Sequence, residues 1–308
     1  MKHVSSILVV VDRSPSAADA VTKAVLLARA ATARVELFMC DAERGYALSQ
    51  AFVSTGVEQS RHACLTDSHR HLETLRRLVN ADDVPIAIDA ACESPLYESI
   101  VRKVMRERPD LVIKNVSGSL SRFDVTDWQL MRACPATLML TRGRPWHSPP
   151  RFAAAVDASG SDSTGLRWDI LQAAQNLTAL TRGELNVLYA EPVELQDTER
   201  EAGTFGLHEL ARKLPEPPAA VHVLAGDPEV SLPGFAKRHA YDAMLLGALT
   251  HRPGVAAQVG TLTSKLVEAL DCDFILVKPR TYHSPVGKTY DRPRAPVRLG
   301  AYLQTHLR

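Results

Sequence analysis

The sequence has almost no surplus charge: 36 Lys and Arg stand against 35 Asp and Glu, for a net charge of +1 over 308 residues. Coating a polyanion needs a basic excess, so no nucleic-acid partner is expected. No run approaches the ~18 apolar residues of a membrane-spanning helix. Met1-Lys2-His3-Val4 leads into a strand-like segment without the apolar region and small-residue cleavage site of a secretory signal. A cytoplasmic location with no membrane span is therefore expected. Cys40, Cys64, Cys92, Cys134 and Cys272 have no CxxC spacing, which indicates neither a disulfide framework nor a structural zinc site, and leaves buried free thiols as the expectation. HExxH, GxxxxGK[ST] and a defensible Ser/His/Asp arrangement are missing as well. No catalytic or metal-ligating residue is assigned, and no enzyme is expected, with weak ATP hydrolysis left open.

What the sequence does have is repetition. With 45% hydrophobic and 23% charged residues it reads as globular, and its length suits two domains of about 100–200 residues each. Ile7-Leu8-Val9-Val10-Val11 ends at Asp12 and is followed by a polar turn and an Ala-rich helical stretch to about Thr32; Phe152-Ala153-Ala154-Ala155-Val156 ends at Asp157 and continues in the same way to about Thr181. Val35 to Cys40 parallels Leu185 to Ala190, and Ile86-Ala87-Ile88 parallels Val221 to Leu224. Asp110 to Lys114 parallels Asp242 to Leu246, and Cys134 to Leu140 parallels Cys272 to Val277. Continuous apolar strands alternating with helices predict parallel sheets covered on both faces, so each half is read as a five-stranded doubly wound α/β domain. The expected units are 1–143 and 150–280, separated by the Pro-rich stretch Gly143 to Pro150, with a basic, loosely ordered tail over 281–308.

These features resemble the universal stress protein family in its tandem form. The strand ending in aspartate, the strand Asp242-Ala243-Met244-Leu245-Leu246-Gly247, and "GTLTSKLVEALDCDFILVK" from Gly260 carry the likeness, with the signature Gly-x2-Gly-x9-Gly-(Ser/Thr) before the last helix and strand. "TDWQLMRACP" at Thr126 to Pro135 and "KPRTYHSPV" at Lys278 to Val286 are similar to stretches of a tandem member. The resemblance implies two Rossmann-like domains of the adenine nucleotide alpha hydrolase-like kind, each of strand order 3-2-1-4-5. It also implies pairing of the domains through their last strands. Pairing of whole chains into a homodimer, and protein partners of unknown identity, are compatible with it. Some members bind ATP and some do not.

The difference lies in the loop "GALTHRPGVAAQVGT", Gly247 to Thr261. Phosphates are held by converging backbone N–H groups and a helix N-terminus, and glycines let the main chain approach. Gly247 occupies the first signature position and Gly260-Thr261 the last, whereas Thr250 stands where the ATP binders of the family have glycine. A β-branched residue at φ > 0 costs roughly 1–3 kcal/mol, so affinity falls if position 250 needs that conformation. Gly254 supplies a compensating turn, and Thr261, Leu262 and Thr263 open the helix with two hydroxyls. The resemblance adds Asp157 and Ala158 near the ribose or a phosphate-bound Mg2+, and the backbone of Tyr189-Ala190 against adenine. The competing structural reading is that Asp157 caps the next helix, Gly247 ends a strand and Gly260-Thr261 only starts the last helix.

The first half departs from this pattern. Asn115 to Ala133 spans 19 residues where Ala248 to Asp271 spans 24, and Lys114, Ser117 and Arg122 or Phe123 stand in place of the glycines. No triphosphate is expected there, and Trp128 is read as a packing residue. Three functions stay open: a stress-response regulatory or protective module with at most one ATP site, in the second half; a nucleotide-free scaffold for protein partners or an apolar ligand; and an ATP-dependent transferase or pyrophosphatase using the turn Ser159-Gly160-Ser161-Asp162-Ser163. His62, Cys64, His69 and His71 fall close together, but helical spacing turns Cys64 and His71 away from the other two, so a solvated helix face is expected rather than a metal site.

Overall fold

The computed structural model describes residues 4–50, 54–79, 81–116, 123–158, 164–191, 197–250, 258–259 and 261–287. The first half runs β1 (Ser6–Val10), α1 (Ala17–Ala31), β2 (Arg34–Cys40), α2 (Ala42–Gln50), α3 (Ser54–Val79), β3 (Ile86–Ala91), α4 (Leu96–Glu107), β4 (Leu111–Asn115), α5 (Val125–Ala133) and β5 (Thr137–Thr141). The second runs β6 (Arg151–Ala155), α6 (Leu166–Thr181), β7 (Glu184–Glu191), α7 (Asp197–Arg212), β8 (Ala220–Ala225), α8 (Pro228–His239) and β9 (Ala243–Gly247). It ends with the short pair β10 (Leu249–Thr250) and β11 (Gln258–Val259), then α9 (Thr261–Ala269) and β12 (Asp273–Val277).

The apolar runs become central strands. Every residue of β4 and β12 is buried, because helices cover both sides, as parallel sheets require. α1, α3, α6 and α7 pack on one face and α4, α5, α8 and α9 on the other, giving two cores that each run through both halves. Helices end at matching places: α1 and α6 stop at left-handed Thr32 and Arg182, and α4 and α8 at left-handed Arg108 and Ala240. A left-handed residue turns the chain out of the helix, so the next strand starts without a long loop.

All ten long strands form one sheet of order β3-β2-β1-β4-β5-β12-β9-β6-β7-β8. Each half therefore has the order 3-2-1-4-5, and the halves join through antiparallel β5 and β12, with Met139 opposite Ile275 and flanked by the pairs Leu138–Leu276 and Leu140–Phe274. Met139 and Ile275 hold equivalent positions, since each lies opposite the third residue of its neighbour, Ile113 or Leu245. An approximate twofold axis passes between them. Asp110 accepts from the backbone N–H of Ser5 and Ser6 at the start of β1, and Asp242 from those of His147 and Arg151 at the start of β6. The aspartates that open the two matched strands thus tie down the first strand of each half. Among the described residues no helix is long and apolar enough to cross a membrane.

Gly45 lets α2 lie close against the backbone of Glu93. A Cβ there would lie 2.5–2.7 Å from the backbone of Glu93. Backbone cannot rotate away as a side chain can, so Gly45→Ala is expected to destabilise the protein by about 1–3 kcal/mol. Urea unfolding should show a lower midpoint at unchanged slope.

Candidate functional site at the ends of the second-half strands

A doubly wound sheet binds ligands beyond the carboxyl ends of its strands, where strand order reverses. In the second half that point lies between β6 and β9. Asp157 and Ala158 follow β6, the former exposed and the latter buried. Tyr189 and Ala190 are buried in β7, and Gly247 ends β9. The Thr263 hydroxyl, in the first turn of α9, donates to the Gly247 carbonyl at 2.8 Å and so fixes the helix start against the strand end. The structure thereby brings Asp157, Ala158, Tyr189, Ala190, Gly247, Leu262 and Thr263 to one end of the sheet. Gly254 and Gly260 lie outside the described residues, as does the turn Ser159 to Ser163.

Three sequence-based readings change. Thr250 pairs with Gln258 in an antiparallel ladder, so its backbone is extended, a conformation that suits a β-branched residue and needs no positive φ. Asp157 is not the cap of the next helix, since α6 starts at Leu166 after Gly165, whose φ is 74°. Gly247 has a packing reason to be glycine, because a Cβ would meet Leu166 Cδ2 at 2.8 Å and Ile170 Cδ1 at 3.6 Å.

The first half shows what happens when this crevice closes. β1 pairs β4 as β6 pairs β9, which sets Leu111 level with Ala243 and makes Asn115, not Lys114, the counterpart of Gly247. The sequence reading was one residue out. The Asn115 amide donates to Ser16 Oγ at 2.7 Å, and its carbonyl oxygen accepts from Thr141 at 3.2 Å. A side chain thus bridges the end of β4 to the turn before α1, across the place where a ligand would enter. Lys114 is buried instead in an ion pair with Asp127 at 2.7 Å. Ser117 and Arg122 lie outside the described residues. Phe123 and Trp128 pack together, ring centroids 5.6 Å apart, in the core against Phe274.

Elsewhere the candidates separate. Cys64 faces the core, His62 is exposed, and His71 Nε2 lies 3.3 Å from the Asp12 carbonyl. Cys40, Cys64, Cys92 and Cys134 are buried free thiols, whereas Cys272 is half-buried. Within the segment assigned to a loose tail, Tyr282 and Ser284 donate to the carbonyls of Arg132 and Ala133 at the end of α5.

Sequence reasoning missed Glu191, which ends β7 two residues after Tyr189 and so lies on the same face of the strand. Burial raises the Tyr189 phenol pKa, and the carboxylates of Asp157 and Glu191 add to it. The period-2 pattern of the strand was the available signal.

Residues 3–142 match the model of the Universal stress protein family. The chain is similar to Universal stress protein E of Salmonella typhi and of Escherichia coli, 23% identical to each, with 93% of this chain and 98% of the relative covered. A functionally unknown protein from Pseudomonas aeruginosa superposes with a TM-score of 0.70 at 21% identity, over 91% of this chain and 94% of that one. A universal stress protein from Archaeoglobus fulgidus does so with a TM-score of 0.68 at 11% identity, over 89% and 98%. These structures share the whole tandem architecture. Residues 3–142 thus carry the match to the Universal stress protein family, and the chain is similar to Universal stress protein E along 93% of its length.

Proposed function

We propose that the protein is a cytoplasmic stress-response module of the tandem universal stress protein type, regulatory or protective rather than enzymatic, with one adenine-nucleotide site in the unit 150–280. The observation that carries this reading is the exchange of Asn115 for Gly247: the same strand end that is bridged in the first half has no side chain to bridge it in the second. The backbone N–H groups of Thr261, Leu262 and Thr263 start α9 beside it. They are unpaired within the helix by its geometry and suit an anion. Asp157, exposed at the end of β6, suits the ribose or a phosphate-bound Mg2+. Tyr189-Ala190 offers backbone groups to the base.

Nucleotide released by denaturing fresh protein, identified by mass, and calorimetric titration of the emptied protein with ATP and Mg2+ test the reading. About one ATP per chain is expected. Two per chain would place a site in the first half as well and overturn it; none would leave a nucleotide-free scaffold. Release of pyrophosphate on adding ATP would favour a transferase at the Ser159–Ser163 turn.

A further inference from the structure

The halves also differ where their last two helices meet. α4 and α8 each have 12 residues and end at left-handed Arg108 and Ala240, so Tyr97 matches Glu229. α5 and α9 each have 9 residues and end at Ala133 and Ala269, so Gln129 matches Lys265 and Arg132 matches Glu268. In the second half Lys265 and Glu229 bridge the two helices at 2.6 Å. Gln129 and Tyr97 cannot pair as ions, and the Tyr97 hydroxyl donates to Glu98 at 3.2 Å instead. What remains between α4 and α5 is a cavity of about 430 Å³, a volume in the range of small-molecule sites. A second departure from the repeat gives it another wall. Trp146-His147-Ser148-Pro149 recurs as Tyr282-His283-Ser284-Pro285 in the same place after the last strand of each half. Trp146 packs edge-on against Phe152, on the core beneath α1 and α6. Tyr282 and Ser284 turn the other way and bond the carbonyls of Arg132 and Ala133, which lays Pro285, Val286 and Gly287 along the cavity. Charge around it is uneven. Glu98 and Glu93 both pair with Arg102. Arg132 is exposed at the rim, and among the described residues neither its guanidinium nor the Gln129 amide has a hydrogen-bond or ion-pair partner. Burial and Glu98 raise the Tyr97 pKa, and Arg132 across the gap opposes them.

We propose that this cavity binds a small organic acid, its carboxylate on Arg132 and Gln129 and its apolar body against Tyr97, Ala133 and Val286. A guanidinium is a planar fork that a carboxylate meets with two parallel bonds. Gln129 lies three residues earlier on the same face of α5 and adds an amide donor. The Tyr97 ring offers a flat apolar surface across the gap. Glu98 does not compete for the cation, because Arg102 and Tyr97 already bond it. Inorganic phosphate would meet the cation and leave the apolar wall uncovered, which favours an acid with a carbon body. The second half has no such site: Lys265 is bonded to Glu229, and Glu268 reverses the charge of Arg132. The cavity is separate from the crevice between β6 and β9 and does not depend on the nucleotide reading.

The test follows the Ala133 and Val286 methyl signals of the full chain by NMR during titration with phenylacetate, its neutral isostere phenylacetamide, and inorganic phosphate. Phenylacetate should shift both signals to saturation, and phenylacetamide should bind about tenfold or more weaker, the equivalent of one charge-assisted hydrogen bond. Arg132→Gln should weaken the acid about tenfold and leave the amide as it was, with the urea midpoint unchanged because the guanidinium is exposed and unpaired. The double variant Tyr97→Glu/Gln129→Lys installs the ion pair of the second half across the gap and should abolish both shifts. Equal binding of acid and amide, or an Arg132→Gln variant that binds as wild type does, would remove the carboxylate contact and overturn the proposal. Phosphate binding as tight as that of phenylacetate would reduce the site to a bare cation, with the same result. Unshifted methyl signals, or a double variant that binds as wild type does, would show that the gap between α4 and α5 is not the site.

Discussion

Lys114→Met should destabilise the protein by about 3–5 kcal/mol, because it leaves the charge of Asp127 buried without its partner. Lys114 is 3% and Asp127 0% exposed, with Nζ and Oδ1 2.7 Å apart. Desolvation raises the Asp127 pKa, and Lys114 works against that shift. Lys114 also donates to the Asn115 carbonyl at 2.9 Å. Asp127 completes a capping box with Asp124, its backbone N–H donating at 2.7 Å and its carboxylate accepting from Asp124 N at 3.3 Å. One lysine thus ties β4 to the start of α5 beneath the closed crevice. The double variant Lys114→Met/Asp127→Asn should recover more than half of the loss, since the amide keeps an acceptor for the cap and carries no charge to strand. Denaturant unfolding of wild type and the three variants gives the cycle. A loss below about 1 kcal/mol for Lys114→Met would show that water reaches the pair, as at an ordinary surface ion pair.

The same pair shows how far the sequence could be read. The central strands were legible because buried parallel strands are written as nearly unbroken apolar runs, and the repeat was legible because five matched segments, among them the strands headed by Asp110 and Asp242, recur in the same order. The join of the halves followed from the family resemblance and from nothing in β5 or β12 themselves. Lys114 was set against Gly247 although the match of Asp110–Lys114 to Asp242–Leu246 already aligns Asn115 with that glycine, and the register with β1 and β6 gives the same alignment. Thr250 was judged for strain in a turn and sits in a ladder whose partner, Gln258, lies across residues that linear spacing treats as loop. Glu191 drew no attention because an acidic residue at a strand end is ordinary; what sets it apart is the lack of a partner for one oxygen, which depends on β6, β7 and α7 together. Tyr282 and Ser284 belonged to a stretch without periodicity, and periodicity does not register bonds to a helix end some 150 residues away.

The joint between the halves carries the other large effect. Arg142 and Lys278 each follow the last strand of their half, and each reaches the final carbonyls of the other half's last helix. Arg142 donates to Val267 at 2.8 Å and Leu270 at 3.2 Å, with its guanidinium 4.9 Å and 5.1 Å from the rings of Phe123 and Phe274. Lys278 donates to the Cys134 carbonyl and lies 4.5 Å from the ring of Tyr282. A cation at a helix C-terminus satisfies carbonyls that the helix leaves open and meets the negative end of its dipole. Arg142→Met should therefore cost about 3 kcal/mol through two charge-assisted bonds. The lysine behaves differently, because burial pulls its pKa from 10.5 down to about 8, against a smaller upward pull from Cys134. Above 10.5 the amine is neutral in both folded and unfolded chains; below 8 it is charged in both, and its burial carries the full cost. Stability contributed by the depressed pKa is thus present above 10.5 and lost as pH falls to 8. At about 1.4 kcal/mol per unit, wild type should gain about 2–3 kcal/mol over Lys278→Met between these limits, read as the difference between their urea midpoints at each pH. Arg142→Met should show no such slope, since a guanidinium stays charged throughout. A flat difference for Lys278→Met would mean that its ammonium is solvated and that the two halves are joined by one buried cap instead of two.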